Sequence, residues 1–473
     1  MTTLSNTYIT CMVPFSYRER SKFKMYDALK QNKFEFFSLD QLHLQQKYYG
    51  SVTVLHEELD QHFLPYIERR MFPKQEREDS FLRYSKEVGK MASLSIHGRT
   101  YPFQVLSADV VICPFQLGFV TLRIALPGEY ELHAAMEFMH HIRVLEPKLP
   151  EEKGIYIDAG NDRYNSVSDF TFDRLCPFLR KYLNHDAVRD GYFGSLPFFE
   201  DERMLLSAYT EASNHPDTRE MYSLSQLDGL DRLGRPFLSA ESDAYMTSYL
   251  KERVDLRFDP KTNHIITEHV FMCVAMPVAD EHLKEVALRR FMSVDYYQLL
   301  LHYFYKLTLL KLSYQYSAVS VLHDQEHTEQ LIEQISRFSA TYYFQEVSSR
   351  SSGMELSSCL RRVFKLEEQY REVKNTLESL YRNQESSAGR KQNSLLFMLT
   401  IFTVVSGIYG MNLIIDEWSK PYHFSNMLHY TFFEWISFIT AIGGIAMSIT
   451  VVSVSGYRNF NLFLRKRKRK HYE

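Results

Sequence analysis

The sequence predicts a chain in two parts: a mixed α/β domain, followed by long helices that lead into two membrane-spanning helices near the C-terminus. Three observations support this fold class. The chain has 473 residues, which is long for a single core. It is 24% charged, yet residues 392–415 contain no Asp, Glu, Lys or Arg, and neither do residues 435–457. Runs of this length can cross a hydrocarbon layer of about 30 Å at about 1.5 Å per helical residue.

Residues 1–280 carry the pattern of an α/β domain. Glu131–Arg143 and Phe172–Leu183 have helical spacing, whereas residues 151–168 and 211–235 are polar, turn-rich and predicted as loops. Short apolar or alternating runs predict strands at residues 7–13, 51–55, 91–96, 109–115, 118–126 and 269–276.

Residues 281–392 are predicted as stalk helices. One long amphipathic pattern begins near Asp280, and a second begins after Gly353. No proline occurs between Ser352 and Lys420, so the second helix can continue into the uncharged run. Its apolar ladder consists of Leu356, Leu360, Val363, Tyr370, Val373, Leu377 and Leu380.

The charges around the two uncharged runs predict their topology. Residues 393–415 are the first span, 416–434 an outer loop, 435–457 the second span and 458–473 a basic tail. The tail contains Arg465–Lys470, and the two tryptophans of the chain, Trp418 and Trp435, flank the loop. Positive charge favours the cytoplasmic side and tryptophan the interface. We therefore expect a multi-pass protein of the cell (inner) membrane, embedded in the lipid bilayer with both termini cytoplasmic.

The charge distribution excludes some classes of partner. Residues 392–473 hold eight Lys or Arg and four Asp or Glu, which is a net charge of +4. The whole chain has a net charge of −3, so residues 1–391 have a net charge of −7. An acidic N-terminal part argues against nucleic-acid binding and suits divalent cations as partners. The N-terminus has no secretory pattern, and the five cysteines form no CxxC pair.

Polar and small residues recur along the first predicted span. Spacings of three and four place them on one helical face, where polar groups in lipid usually face a bundle interior or water. The alternative is that the threonine hydroxyls only bond to their own helix. One helix cannot enclose a lumen, so a pore requires a homo-oligomer. The predicted pore-lining residues are Asn393, Leu396, Thr400, Thr403 and Gly407.

The outer end of this run carries the most specific motif of the chain. Gly410-Met411-Asn412, preceded by Tyr409, resembles the Gly-Met-Asn signature of the CorA family of divalent-cation transporters. The resemblance covers about the last 110 residues. It implies a homopentamer with a cytoplasmic α/β funnel and a central pore lined by the first membrane helices. It also implies that a ring of Asn412 carboxamides selects the ion, with Tyr409, Gly410 and Met411 holding the ring.

By the same resemblance, the chain carries Mg²⁺, and also Co²⁺ or Ni²⁺, into the cytoplasm down the electrochemical gradient. Mg²⁺ gives up its waters reluctantly, and neutral carbonyl oxygens can bind those waters. Asp416, Glu417 and Glu434 of the outer loop would concentrate cations. Mg²⁺ is thus the transported ion, and by the resemblance also a regulatory one. No catalytic cofactor and no enzymatic activity are expected.

Two departures from the family pattern leave alternatives open. The first run lacks the mid-helix proline that is common in the family, and the outer loop is longer. A Zn²⁺ transporter on the same scaffold is the first alternative. The second is a membrane-anchored sensor or interaction protein that conducts no ion.

A separate motif, His323 to His327, matches the H-x-x-E-H pattern of inverted zinc peptidases. His323, Glu326 and His327 are candidates for an accessory metal site. An ordinary solvated helix face gives the same pattern, and no third zinc ligand can be assigned from the sequence.

Overall fold

The computed structural model describes most of the chain up to residue 412. Within that range it leaves out residues 1, 19–20, 42–44, 55–58, 60–61, 78, 151, 185–202, 232, 260 and 319–324. Beyond it, the structure describes only Phe432, Trp435, Ile439, Ile442, Gly443, Ala446 and Ile449. The chain divides into two compact units, Met1–Leu377 and Glu378–Glu473.

A single mixed sheet forms the centre of the first unit. Its strands follow the order β10-β11-β12-β9-β1-β5-β4-β3-β7-β8, with β2 pairing with β3 and β6 with β1. Neighbouring strands are antiparallel, except that β12 and β9 are parallel. The strands are β1 Thr3–Ser16, β2 Glu35–Phe36, β3 Leu82–Ile96, β4 Arg99–Ile112, β5 Leu117–Leu126, β6 Tyr130–Glu131, β7 Tyr156–Ala159, β8 Asp162–Tyr164, β9 Leu205–Ala212, β10 Val254–Asp259, β11 Thr262–Ile266 and β12 Val270–Ala275.

Helices cover this sheet or follow it in the chain. They are α1 Lys22–Gln31, α2 Pro65–Met71, α3 Leu132–Ile142, α4 Thr218–Gln226, α5 Asp243–Lys251, α6 Glu281–Arg290, α7 Tyr296–Ala318, α8 Gln325–Thr341, α9 Ser351–Val363 and α10 Leu366–Asn412. A π-helical turn, Phe291–Asp295, joins α6 to α7.

The core lies on both faces of the sheet. Every residue of β9 is buried, as is nearly every residue of β5, so neither strand shows the alternation of a sheet with one wet face. On one face Phe103 packs against Phe138 of α3, with ring centroids 5.6 Å apart. On the other face Phe119 packs against Tyr303 of α7 at 5.5 Å. The first unit is therefore layered as helix, sheet and helix.

Several predicted elements are confirmed. The runs at residues 7–13, 91–96, 118–126 and 269–276 fall on β1, β3, β5 and β12, and Glu131–Arg143 corresponds to α3. The run at 109–115 is the end of the longer β4.

Other local predictions are wrong. Residues 51–54 are not a strand. The segment predicted as helical at Phe172–Leu183 is helical but not an α-helix, because a π-helical turn, Phe170–Leu175, is followed by a 3-10 helix, Pro177–Tyr182. The predicted loop at 151–168 contains β7 and β8, and the loop at 211–235 contains α4.

The predicted membrane architecture is contradicted. Among the residues that the structure describes, no helix has both the length and the apolarity needed to cross a membrane. The two-span fold class and the multi-pass membrane localisation with cytoplasmic termini are therefore corrected. The physical reason is that a run without charge is not uniformly apolar. The first run also contains Asn393, Thr400, Thr403, Ser406, Tyr409 and Asn412.

Much of the remaining C-terminal prediction falls outside the described residues. The helix that contains the first run, α10, is described to Asn412, and residues 413–415 are not. Six isolated positions of the second run, 435–457, are described. The loop at 416–434, apart from Phe432, and the tail at 458–473 lie outside.

The predicted stalk region is helical but interrupted. The pattern after Gly353 is split into α9 and α10 at Phe364 and Lys365, where Lys365 has a left-handed φ of 53°. After this break α10 continues for 47 residues without another interruption.

Candidate functional site

The Gly-Met-Asn signature lies at the end of α10. The backbone is helical through Tyr409, Gly410, Met411 and Asn412. Their side chains lie outside the described part of the structure. The structure thus places the signature on a continuous helix, with Asn412 more than one turn beyond Gly407, the last residue of the predicted pore-lining stripe.

The five residues of that stripe share one face of α10. At about 100° per residue, Asn393, Leu396, Thr400, Thr403 and Gly407 fall within about 80° of one another around the helix axis. All five are exposed in the single chain. The helical geometry on which the stripe depends is therefore present, and its pore-lining role stays a prediction.

The two threonines of the stripe donate to their own helix. The Thr400 hydroxyl donates to the Leu396 carbonyl at 2.8 Å, and the Thr403 hydroxyl to the Leu399 carbonyl at 2.9 Å. A hydroxyl has one proton and two lone pairs, so each threonine still presents acceptor capacity to its surroundings. A row of acceptors suits the water shell of a cation, whose hydrogens point outward.

Large apolar side chains occupy the opposite face of the same helix segment. Leu395, Leu399 and Phe402 are 66%, 64% and 68% exposed in the single chain. At about 100° per residue, Leu395 and Phe402 lie on the side away from the threonines, whereas Leu399 lies next to Thr403. One face of residues 393–407 therefore carries the polar and small side chains together with Leu396, and the other face is apolar.

The other predicted site residues receive little or no structural description. Asp416, Glu417, Glu434 and His323 lie outside the described residues. Glu326 and His327 open α8, where His327 is exposed and the Glu326 side chain is not described. Within the described ranges, no group of three or more His, Cys, Asp or Glu side chains could hold a metal ion. The accessory metal site stays a prediction.

A cavity that the sequence did not indicate lies where α9 meets the start of α10. Its volume is about 480 Å³, and Arg361, Arg362, Lys365, Glu367 and Glu368 are among its lining residues. The Arg361 guanidinium donates to the Tyr343 hydroxyl at 3.2 Å and to Glu367 at 2.8 Å. Because the charges of the lining are mixed, the cavity shows no preference for one ionic ligand.

A serine–histidine pair lies beside this cavity. Ser357, which lines it, lies 2.9 Å from His302 Nε2, and His302 Nδ1 lies 2.7 Å from the Gln298 carbonyl. A carbonyl can only accept, so Nδ1 donates and Nε2 accepts from the serine hydroxyl. Burial lowers the pKa of His302 to about 3. The buried pair links α7 to α9.

A second feature missed from the sequence is a buried cluster of Arg83, Asp109 and Arg123 in the sheet. No local motif marks it, because the three residues come from three strands and meet only through pairing register.

Comparisons with protein-family models, with curated proteins and with solved structures find no match for this chain.

Proposed function

We propose that this chain transports divalent cations, Mg²⁺ foremost, down their electrochemical gradient. The observation that carries the proposal is the Tyr-Gly-Met-Asn sequence at 409–412, at the end of a 47-residue helix with an exposed polar stripe. The proposed ion selection by Asn412 does not depend on the predicted two-span architecture. That architecture is contradicted by the described residues.

The chemistry of the stripe supports a hydrated ion. Mg²⁺ keeps several waters and dehydrates reluctantly, so its site needs acceptors for water hydrogens more than direct ligands. The Asn412 carboxamide offers such an acceptor, and Thr400 and Thr403 keep lone pairs after their proton is used within the helix. A gradient of about 2.3 kcal/mol per charge per 100 mV would move a dication without ATP.

Several copies of the chain are required by this proposal. One helix offers one carboxamide, and a ring around an ion needs several. The exposed Leu395 and Phe402 opposite the stripe provide apolar surface for other helices. We propose a homo-oligomer, and the resemblance to the CorA family makes it a pentamer.

The transport proposal is tested by ion uptake into proteoliposomes that contain the full-length chain. Under an inside-negative potential, Mg²⁺ influx should exceed that of protein-free vesicles, and Co²⁺ or Ni²⁺ should compete. Faster Zn²⁺ than Mg²⁺ influx would point instead to the zinc transporter. Absence of Mg²⁺ and Zn²⁺ influx from protein with a cooperative unfolding transition would overturn transport altogether.

A second candidate function is a sensor or interaction protein that conducts no ion. The observation that favours it is the cavity beside Arg361, which is large enough for a small ligand and lined by six ionisable side chains: Glu346, Arg361, Arg362, Lys365, Glu367 and Glu368. The mass of the particle in detergent separates the two functions cheaply. A monomer or dimer contradicts the ring of carboxamides, whereas a sensor has no such requirement.

A further inference from the structure

Three charged side chains are buried together inside the sheet of the first unit. Arg83 on β3, Asp109 on β4 and Arg123 on β5 are 3%, 0% and 1% exposed. Strand register brings the three side chains together. Between β3 and β4, Ser85 pairs with Asp109. Between β4 and β5, Asp109 pairs with Thr121 and Ser107 with Arg123. All of these positions share the face of the sheet that packs against the start of α7.

One carboxylate serves both guanidiniums. Arg83 Nε lies 3.0 Å from Asp109 Oδ2, and Arg123 Nη1 donates to the same oxygen. Burial alone would raise the pKa of Asp109, but Arg123 and Arg83 hold it below its usual range. Asp109 is therefore ionised, and the cluster of one carboxylate and two guanidiniums carries a net charge of +1.

The surrounding hydroxyl groups do not remove this charge. Arg83 donates to the hydroxyls of Tyr49 and Tyr297, while the Tyr296 hydroxyl lies 3.1 Å from Thr121 Oγ1. Burial raises the pKa of Tyr296 to about 12 and that of Tyr297 further, so both phenols are neutral. Their rings attract the cations, with the Arg123 guanidinium carbon 4.9 Å from the centroid of Tyr296.

Three guanidinium nitrogens in the cluster have no acceptor among the described residues. They are Arg83 Nη2, Arg123 Nε and Arg123 Nη2, and all three are buried. An aromatic face lowers the cost of a buried cation, yet it leaves these N–H groups without an oxygen or an anion. Buried donors without partners, next to an uncompensated charge, are rare and point to a bound species.

We propose that Arg83 and Arg123 bind a monatomic anion, chloride in the cell, between the sheet and α7. One negative charge matches the excess of +1. A spherical ion accepts from several N–H groups at once, and it is smaller than phosphate or a carboxylate, which suits a closely packed interior. Chloride would then be a structural ligand that ties β3 and β5 together.

The direct test is a halide exchange on the wild-type protein. Crystals of the full-length chain grown in sodium bromide should show an anomalous peak within hydrogen-bond distance of Arg83 Nη2 and Arg123 Nη2. A water molecule, or no density at that position, would overturn the proposal.

A solution measurement covers the case in which crystals fail. The melting temperature should rise by a few degrees for each tenfold rise in chloride, at constant ionic strength balanced with gluconate. Arg123→Met makes the cluster neutral and should abolish the chloride dependence. Arg163→Met, which removes an exposed arginine from its pair with Asp158, should keep it. Equal melting temperatures of the wild type in chloride and gluconate would contradict a chloride site.

Discussion

The first unit and the C-terminal segment of α10, residues 392–412, differ in whether their polar side chains are buried and in where these side chains find hydrogen-bond partners. In the sheet, Asp109 is fully buried and meets Arg83 and Arg123 from neighbouring strands. In the segment, Thr400 and Thr403 are exposed and bond only to their own helix backbone. The first arrangement draws its charged partners from strands of the same chain. The second has its local hydrogen bonds and leaves the threonine side chains exposed in the single chain, as expected of a surface that works in an assembly.

This difference teaches where stability and function lie. A change in the buried network should destabilise the fold, because water cannot replace the lost partners there. A change in the exposed segment should leave the fold intact and alter only what the segment binds. Substitutions in the two regions can therefore break or sharpen the comparison.

The largest effect is expected for Asp109→Ala. It leaves two guanidiniums buried without their shared carboxylate, which should lower the free energy of unfolding by about 3–5 kcal/mol. Denaturant unfolding measures the change. Asp158→Ala, which breaks the exposed pair with Arg163, should cost at most about 1 kcal/mol. Equal losses in the two variants would contradict a special role for the buried cluster.

The next effect compares two glycines. Gly118 on β5 lies opposite Phe15, and a Cβ there would sit 2.3 Å from the Phe15 ring. Gly118→Ala should destabilise the fold by about 1–3 kcal/mol, because the ring must move in a packed core. Gly407 has nothing within 4 Å of such a Cβ in the described residues. Gly407→Ala should therefore leave the melting temperature unchanged or raise it slightly, since alanine favours a helix.

A smaller effect should depend on pH. Burial lowers the folded pKa of His302 to about 3, against about 6.5 in an unfolded chain. The unfolded state therefore binds the proton first as pH falls below 6.5, and stability is lost in that window. The expected loss from this residue is about 1.4 kcal/mol at pH 5.5.

The variant His302→Gln isolates this contribution. An amide can still donate to the Gln298 carbonyl and accept from Ser357, so the fold should persist with a shallower loss of stability between pH 7 and 5.5. His327→Gln changes an exposed histidine of α8 and should leave the wild-type pH dependence. Identical pH profiles for all three proteins would show that His302 is not buried in its neutral form.

The smallest stability effect is expected at a helix cap. Asp217 accepts from the Glu220 amide at 2.8 Å, and the Glu220 side chain accepts from the Asp217 amide, which forms a complete capping box for α4. Asp217→Ala should cost about 1 kcal/mol in thermal unfolding. Glu241→Ala, at an exposed carboxylate before α5, should cost less. A larger loss at Glu241 would contradict the cap.

These particulars show what the sequence could predict. Alternating and apolar runs identified β1, β5 and β12, and helical spacing identified α3. The cap of α4 was visible as Asp217 followed by Glu220 three residues later, although the polar composition around it favoured a loop. The sequence of strand β9 shows no clear alternation of polar and apolar residues, because both faces of the strand are buried.

The buried cluster and the break in the stalk could not have been predicted in the same way. Arg83, Asp109 and Arg123 are separated by 14 residues or more, and only strand register brings them together. The break at Lys365 depends on one left-handed residue, a conformation that lysine rarely takes. The two membrane spans were predicted from two uncharged runs and from the basic residues and tryptophans that flank them, and the described residues contradict them.

The most direct test of the central claim measures ion uptake and stability in the same pair of variants. Asn412→Ala removes the carboxamide of the signature, whereas Asn375→Ala removes one from an exposed position earlier in the same helix. We predict that Mg²⁺ influx into proteoliposomes is lost in Asn412→Ala and kept in Asn375→Ala, with melting temperatures equal to that of the wild type. Undiminished influx in Asn412→Ala would contradict the proposed ion selection.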